Sequence, residues 1–136
     1  MRDKKNNIIA LISVRSKSSR LPNKSLWKYK DLTILDRIII NLKKSKYIDK
    51  IIVATTNKPS DQKIENYCKK KKYLCFKGDE INLFKRFYDA VKKYNPKTIL
   101  RVTGDNPFTS YEIADYMIRD HLKKKVDFSF MRKDQV

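Results

Sequence analysis

Glycine is almost missing from this chain, with two in 136 residues. The loop after the first apolar run contains none, so it matches neither a Walker-type phosphate loop nor the GxGxxG dinucleotide turn. Cysteine is as scarce. Cys68 and Cys75 fit no metal or redox spacing and read as free thiols of a reducing cytoplasm. The single histidine, His121, lies near the end of a predicted helix, where a packed or solvated ring is the expectation. No Ser/His/Asp or Cys/His arrangement can be drawn. Long apolar runs are lacking too, and the charged start Met1-Arg-Asp-Lys-Lys5 has no signal-peptide stretch, so a cytoplasmic protein without a membrane partner is expected.

Acid is short as well: 15 Asp and Glu stand against 33 Lys and Arg, a formal charge of +18. Such a charge ordinarily points to nucleic acid or an anionic membrane. Here 25 of the 33 basic residues are lysine, spread along a chain rich in Ile, Asn and Tyr, a composition that AT-rich coding sequence also produces. The basic runs Lys69–Lys72 and Lys123–Lys125 fall where helices should end and complement the helix dipole. Nucleic acid is therefore not the expected partner.

What is present suits one globular domain over residues 1–136: 40% of residues are hydrophobic, with 15 isoleucines, enough for a core. The run Ile8-Ile-Ala-Leu-Ile-Ser-Val14 reads as a strand buried on both faces, as in a parallel sheet. It opens into Arg15-Ser-Lys-Ser-Ser-Arg-Leu-Pro-Asn-Lys24, with cations at Arg15, Lys17, Arg20 and Lys24 and hydroxyls at Ser16, Ser18 and Ser19. Arginine forks, lysine ammonium, serine hydroxyls and loop N–H groups suit a polyphosphate. Taken alone, a basic loop is also what a solvated surface turn looks like.

Leu26–Leu32 reads as a short irregular or hairpin segment, and Thr33 with Asp36 as a capping box. The helix that follows carries the stripe Ile34, Leu35, Ile38, Ile39, Leu42. Ile51–Thr56 is a second buried strand. Pro59-Ser60 starts a helix running to about Lys72, with Ile64, Tyr67 and Cys68 inward, and Leu74-Cys75-Phe76 is a third strand. A helix over about Asn82 to Tyr94 is expected to bury Leu83, Phe84, Phe87, Tyr88 and Val91. Thr98–Thr103 is a fourth strand. Thr109 and Glu112 would cap a last helix burying Ile113, Met117, Ile118 and Leu122, and Val126–Phe130 would begin a fifth strand. Strand and helix alternate, so the class is α/β with a mainly parallel sheet and right-handed crossovers.

Polar residues collect at the carboxyl ends of the first, second and fourth of these strands: Arg15, Ser18, Ser19, Arg20 and Lys24 following Val14; Thr55, Thr56 and Asn57; and Thr103 and Asp105 on either side of Gly104. In an open α/β sheet such ends converge on one crevice. A carboxylate there, facing phosphates, is what Mg²⁺ takes from a protein. The same Asp105 in Gly-Asp-Asn-Pro also reads as a plain turn residue. Arg86, on its own, reads as a surface arginine on its helix.

Four segments in this order resemble the cytidylyltransferases that activate acidic and related sugars. They are Arg-x-x-Ser-Ser-Arg-Leu-Pro-x-Lys over Arg15–Lys24, Val53-Ala-Thr-Thr-Asn57, Gly78-Asp-Glu80 with Leu83-x-x-Arg86, and Arg101-Val-Thr-Gly-Asp-Asn-Pro107. The nearest branch is the spore-coat polysaccharide cytidylyltransferase-like group, akin to the acylneuraminate and 3-deoxy-manno-octulosonate enzymes. The departures are Lys17 and Asn23 where the family often has glycine, and Asn57 where it has an acid. The resemblance spans residues 7–130. It implies a three-layer Rossmann-like fold of the nucleotide-diphospho-sugar transferase type, cut short on its C-terminal side, since family members are substantially longer. It further implies transfer of CMP from CTP to an acidic sugar, with pyrophosphate released. Arg15, Arg20, Lys24 and Asp105 would be catalytic, Asp105 would bind Mg²⁺, and Val14, Ser18, Ser19, Thr55, Thr56, Arg86, Thr103 and Gly104 would surround the nucleotide. By the resemblance Arg86 reads equally as a contact to base or phosphate. CTP and the sugar would be its partners, with homodimers as the assembly. The alternative is a non-catalytic nucleotide-binding or basic RNA-binding module on the same fold.

Overall fold

The computed structural model describes residues 6–17 and 21–131. Its centre is strand β1 (Ile8–Ser13), in which Ile8 to Ile12 are each 0–1% exposed. Each large aliphatic side chain buried this way contributes about 1.5–3 kcal/mol. A short 3₁₀ turn (Lys24–Leu26) leads to a small antiparallel hairpin, β2 (Lys28–Tyr29) and β3 (Leu32–Thr33). Then follow α1 (Ile34–Leu42), β4 (Lys50–Thr56), a 3₁₀ turn (Pro59–Asp61), α2 (Gln62–Lys71) and β5 (Leu74–Gly78). The chain goes on through α3 (Leu83–Tyr94), β6 (Thr98–Thr103) and α4 (Tyr111–Lys124).

The main sheet is parallel throughout, in the order β5-β4-β1-β6. Side chains alternate across its strands, so each face is buried separately. Ile8, Ala10 and Ile12 pack with α1, α2 and α4, including Leu35, Ile64 and Ile118. Ile9, Leu11, Ile52 and Ala54 pack under Phe87 and Ala90 of α3. The result is the parallel α/β class that the alternating pattern implies, with helices on both faces of the sheet. The order also fixes where a site forms. From β1 the chain adds β4 and β5 on one side, then returns to place β6 on the other. Between the carboxyl ends of β1 and β6 the connections diverge and leave a crevice.

Thr33 and Asp36 form the expected capping box. Three expectations are corrected. Val126–Phe130 forms no strand; its alternating apolar side chains Val126, Phe128 and Phe130 are all exposed, so no buried face fixes a strand there. The cap of α4 is Ser110, which accepts from the N–H of Ile113, while the Thr109 hydroxyl donates to the carbonyl of Asn106. On α3 and α4, Phe87 and Ile118 are buried as expected, but Phe84, Tyr88 and Ile113 are exposed, and Arg86, Ala90 and Ala114 are buried as well. Each helix meets the sheet along a narrower stripe than its apolar content allows, so its flanking apolar side chains stay in solvent.

Candidate functional site

The crevice is closed at its base by two hydrogen bonds between the β1 side and the turn after β6. The N–H of Gly104 donates to the Ser13 carbonyl at 3.0 Å, and the Ser25 hydroxyl donates to the Gly104 carbonyl at 2.6 Å. Gly104 is required here for closeness: a Cβ on it would lie 2.6 Å from Val14 Cγ2 and 2.7 Å from the Ser13 carbonyl oxygen. The loop folds back on itself, with Asn23 N–H donating to the Ser16 carbonyl at 2.9 Å. Asn23 takes φ 59°, a left-handed conformation that asparagine tolerates better than most residues. Together these contacts bring Lys24 Nζ to 2.7 Å from Asp105 Oδ2.

Above this base lies a cavity of about 410 Å³. Val14, Arg15 and Lys24 line it from one side, Thr103, Gly104 and Asp105 from another, and Arg86 with Ile81 and Leu83 from α3 and the turn before it. Arg101 completes the wall. The lining is cationic, with Asp105 as its one carboxylate. The hydrogen bond from Lys24 holds Asp105 below the usual carboxylate range against some burial, helped by the lysine charge and by Thr103. Lys24 and Asp105 are both partly exposed, so their pairing contributes at most about 1 kcal/mol to stability. It leaves both groups available to a ligand.

Arg86 is held quite differently. It is 3% exposed, and its Nε donates to the Asp79 carbonyl at 2.9 Å. Its stem runs over Gly78, where a Cβ would lie 2.8 Å from Arg86 Cγ. Burial pushes its guanidinium below the ordinary value, the negative charge of Asp61 opposes that, and the charge of Arg15 adds to it. Asp61 is 2% exposed. Its Oδ1 accepts the Ser16 N–H at 2.7 Å, and its Oδ2 accepts the Thr56 hydroxyl. Burial disfavours its charge, but hydrogen bonds from Ser16 and Thr56 and the charge of Arg86 outweigh this and lower its pKa.

Of the residues singled out from sequence, the cavity gathers Val14, Arg15, Lys24, Arg86, Thr103, Gly104 and Asp105. Ser18, Ser19 and Arg20 lie outside the described residues. Thr55 and Thr56 are buried at the end of β4 and do not line the cavity. Arg86 is not a surface arginine. His121 is hydrogen-bonded to the Ser129 hydroxyl, outside the crevice, and both cysteines are free. Sequence reading missed Ser25, which directly follows Lys24, and the apolar wall of Ile81 and Leu83. It missed Asp61 altogether: an aspartate after Pro-Ser at a helix start looks like an ordinary cap.

Among the described residues no group of three or more His, Cys, Asp or Glu side chains could enclose a metal. One accessible carboxylate beside a phosphate-sized cationic cavity does fit Mg²⁺, which takes one or two protein carboxylates and fills its octahedron with water and phosphate. No described helix is long and apolar enough to cross a membrane.

Similarity to known proteins agrees with this geometry. The chain is 44% identical to an uncharacterised protein of Methanocaldococcus jannaschii over 121 residues, covering 89% of this chain and 50% of that protein. It is 32% identical over 130 residues to the spore coat polysaccharide biosynthesis protein SpsF of Bacillus subtilis, covering 93% and 54% respectively. The chain thus spans about half the length of these curated relatives. Among solved structures, a cytidylyltransferase from Leptospira borgpetersenii superposes with a TM-score of 0.81 at 36% identity, covering 88% of this chain and 50% of that one. The cytidylyltransferase family model matches residues 9–135, nearly the whole chain, and the protein belongs to that family.

Proposed function

We propose that this chain forms the nucleotide-binding part of a Mg²⁺-dependent enzyme that transfers CMP from CTP to an acidic sugar for cell-surface polysaccharide. The observation that carries this reading is the convergence of Arg15, Lys24 and Arg86 with Asp105 on one cavity at the switch point of the sheet. Family membership supports cytidine as the base, and the likeness to a spore coat polysaccharide protein supports a sugar as acceptor.

In this reaction the sugar hydroxyl oxygen bonds to the α-phosphorus, the bond to the bridging oxygen of the β-phosphate breaks, and pyrophosphate leaves while the hydroxyl proton passes to water. Such chemistry asks for positioning and charge neutralisation more than for covalent catalysis. Arg15 and Lys24, with Arg20 of the same loop, hold the β- and γ-phosphates and stabilise the departing pyrophosphate. Arg86, fixed by its backbone partners, presents a charge that needs no reorganisation when phosphate arrives. Asp105 would hold Mg²⁺, which supplies neutralisation of the α-phosphate charge when bound. Ile81 and Leu83 give the cavity an apolar wall suited to the flat face of a base.

Calorimetric titration with CTP and with ATP, each with Mg²⁺, tests the reading. CTP is expected to bind more tightly than ATP. Equal binding reduces the cavity to a generic nucleotide site, and absence of any binding removes the proposal.

A further inference from the structure

Asp61 sits at the start of α2, where an aspartate normally caps its own helix by accepting from the second or third N–H. It makes no such bond. Its carboxylate is turned away from α2 towards the opposite strand end, where it takes the Ser16 N–H and the Thr56 hydroxyl. Its backbone is αR, continuous with the preceding 3₁₀ turn, and its charge is buried at 2% exposure where it holds one peptide N–H of a loop 45 residues away. Ser16 directly follows Arg15, a lining residue of the cavity, and its carbonyl takes the N–H of Asn23, which precedes Lys24. Ser16, with its N–H on Asp61 and its carbonyl on the Asn23 N–H, is therefore the residue at which both ends of the cationic loop meet. Asp61 is also the acidic partner that acts on the buried Arg86 from beneath the cavity.

We propose that Asp61 is a positioning residue for the nucleotide site: by fixing the Ser16 peptide it sets where Arg15 and Lys24 meet the phosphates. This rests on the reading of the cavity as a nucleotide site, while the anchoring itself is independent of it. A loop that carries several like charges repels itself when no phosphate is bound. A buried carboxylate at its neck opposes that spreading and keeps the cradle assembled before the ligand arrives, so that binding does not have to order it.

Two variants separate anchoring from general stability. Asp61→Ala removes both acceptors. Asp61→Asn keeps an oxygen for the Ser16 N–H and loses the charge. The first readout is amide hydrogen exchange at Ser16 in ligand-free protein, at a temperature where circular dichroism shows each variant folded. Exchange is expected to rise about tenfold in Asp61→Ala and to stay within about threefold of wild type in Asp61→Asn. The second is affinity for CTP with Mg²⁺, expected to fall about tenfold or more in Asp61→Ala and to be largely restored in Asp61→Asn. Unchanged Ser16 exchange in Asp61→Ala overturns the proposal. So does raised exchange with unchanged CTP affinity, which makes Asp61 merely structural. Wild-type protein that binds no CTP, with the exchange pattern as expected, removes the nucleotidyl-transfer reading and supports Asp61 as the anchor of the loop.

Discussion

Asp36 and Asp105 are both carboxylates held below their ordinary pKa, yet their surroundings are opposite. Asp36 is 0% exposed. It accepts the hydroxyls of Tyr67 at 2.5 Å and Tyr73 at 2.7 Å and the Thr33 N–H at 3.0 Å, with Lys71 Nζ at 3.5 Å. Asp105 has 44% of its side chain exposed and an ion pair with one flexible lysine. In the first, the partners come from the end of β3, α2 and the segment before β5, and the accepting capacity is used up within the fold. In the second, the bound group is itself a cavity cation that phosphate can draw away. A carboxylate already saturated by fixed hydroxyl and N–H donors is architecture; one whose single partner is a mobile, shared lysine is available for chemistry.

The largest effect should follow from removing the saturated one. Asp36→Ala leaves two tyrosine hydroxyls and a cap N–H without their acceptor, and is expected to cost about 3–5 kcal/mol in chemical denaturation. A loss under about 1 kcal/mol would erase the contrast with Asp105. The same carboxylate makes stability depend on pH. Burial alone would raise its pKa, but hydrogen bonds from Tyr67, Thr33 and Tyr73 bring it down from 3.8 to about 2. A depressed folded-state pKa means its contribution is fully present above the unfolded value and is lost as pH falls from about 4 towards 2. Denaturant midpoints measured across that window should decline in the wild type, and more shallowly in Asp36→Asn.

Next in size is Gly104→Ala, which strikes the base of the Asp105 crevice. The added methyl meets the Ser13 carbonyl and Val14, and backbone cannot rotate out of the way. A loss of about 1–3 kcal/mol is expected, together with weaker CTP binding because Asp105 shifts relative to Lys24. Unaltered binding in a destabilised variant would separate the crevice from the nucleotide.

These contrasts were unevenly legible in the sequence. The Asp36 cap could be read, since Thr33 and Asp36 are local partners three residues apart; its tyrosines could not, because Tyr67 and Tyr73 reach it only through the packing of α2. The parallel sheet followed from uninterrupted apolar runs such as Ile8–Ile12, and the crevice from polar residues at strand ends. Asp105 and Lys24 were visible as types, but their pairing depends on the closeness that Gly104 permits. Asp61 was invisible because its partner lies 45 residues away and its position suggested a cap. The exposure of Phe84 and Tyr88 was unreadable because hydrophobic spacing shows which face is apolar, not how much of it the sheet covers. Scarce glycine misleads in one more way. Left-handed positions fall on Asn23, Lys30, Lys72, Asn95 and Lys125, among others, while neither glycine has positive φ; both instead allow close approach.

A smaller effect is expected at the helix ends. Single charge reversals within Lys69–Lys72 or Lys123–Lys125, leaving out Lys71 because it pairs with Asp36, place acid where α2 and α4 end, opposing the dipole by about 0.3–1 kcal/mol each. CTP affinity at moderate salt should change little. If nucleic acid were the partner, those reversals would weaken its binding steeply and in a salt-dependent way, whereas Arg20→Ala would matter for CTP alone. Filter binding with both sets of variants distinguishes the two.

The most direct measurement is the one that touches stability least. Asp105→Asn keeps the turn after β6 and forfeits only a partly exposed ion pair, so its unfolding free energy should lie within about 0.5–1 kcal/mol of wild type. Calorimetric titration of CTP with and without Mg²⁺ should then show wild-type affinity that rises with the metal, and variant affinity that does not. Metal-dependent CTP binding retained in full by Asp105→Asn would contradict the account and return Asp105 to the status of a turn residue.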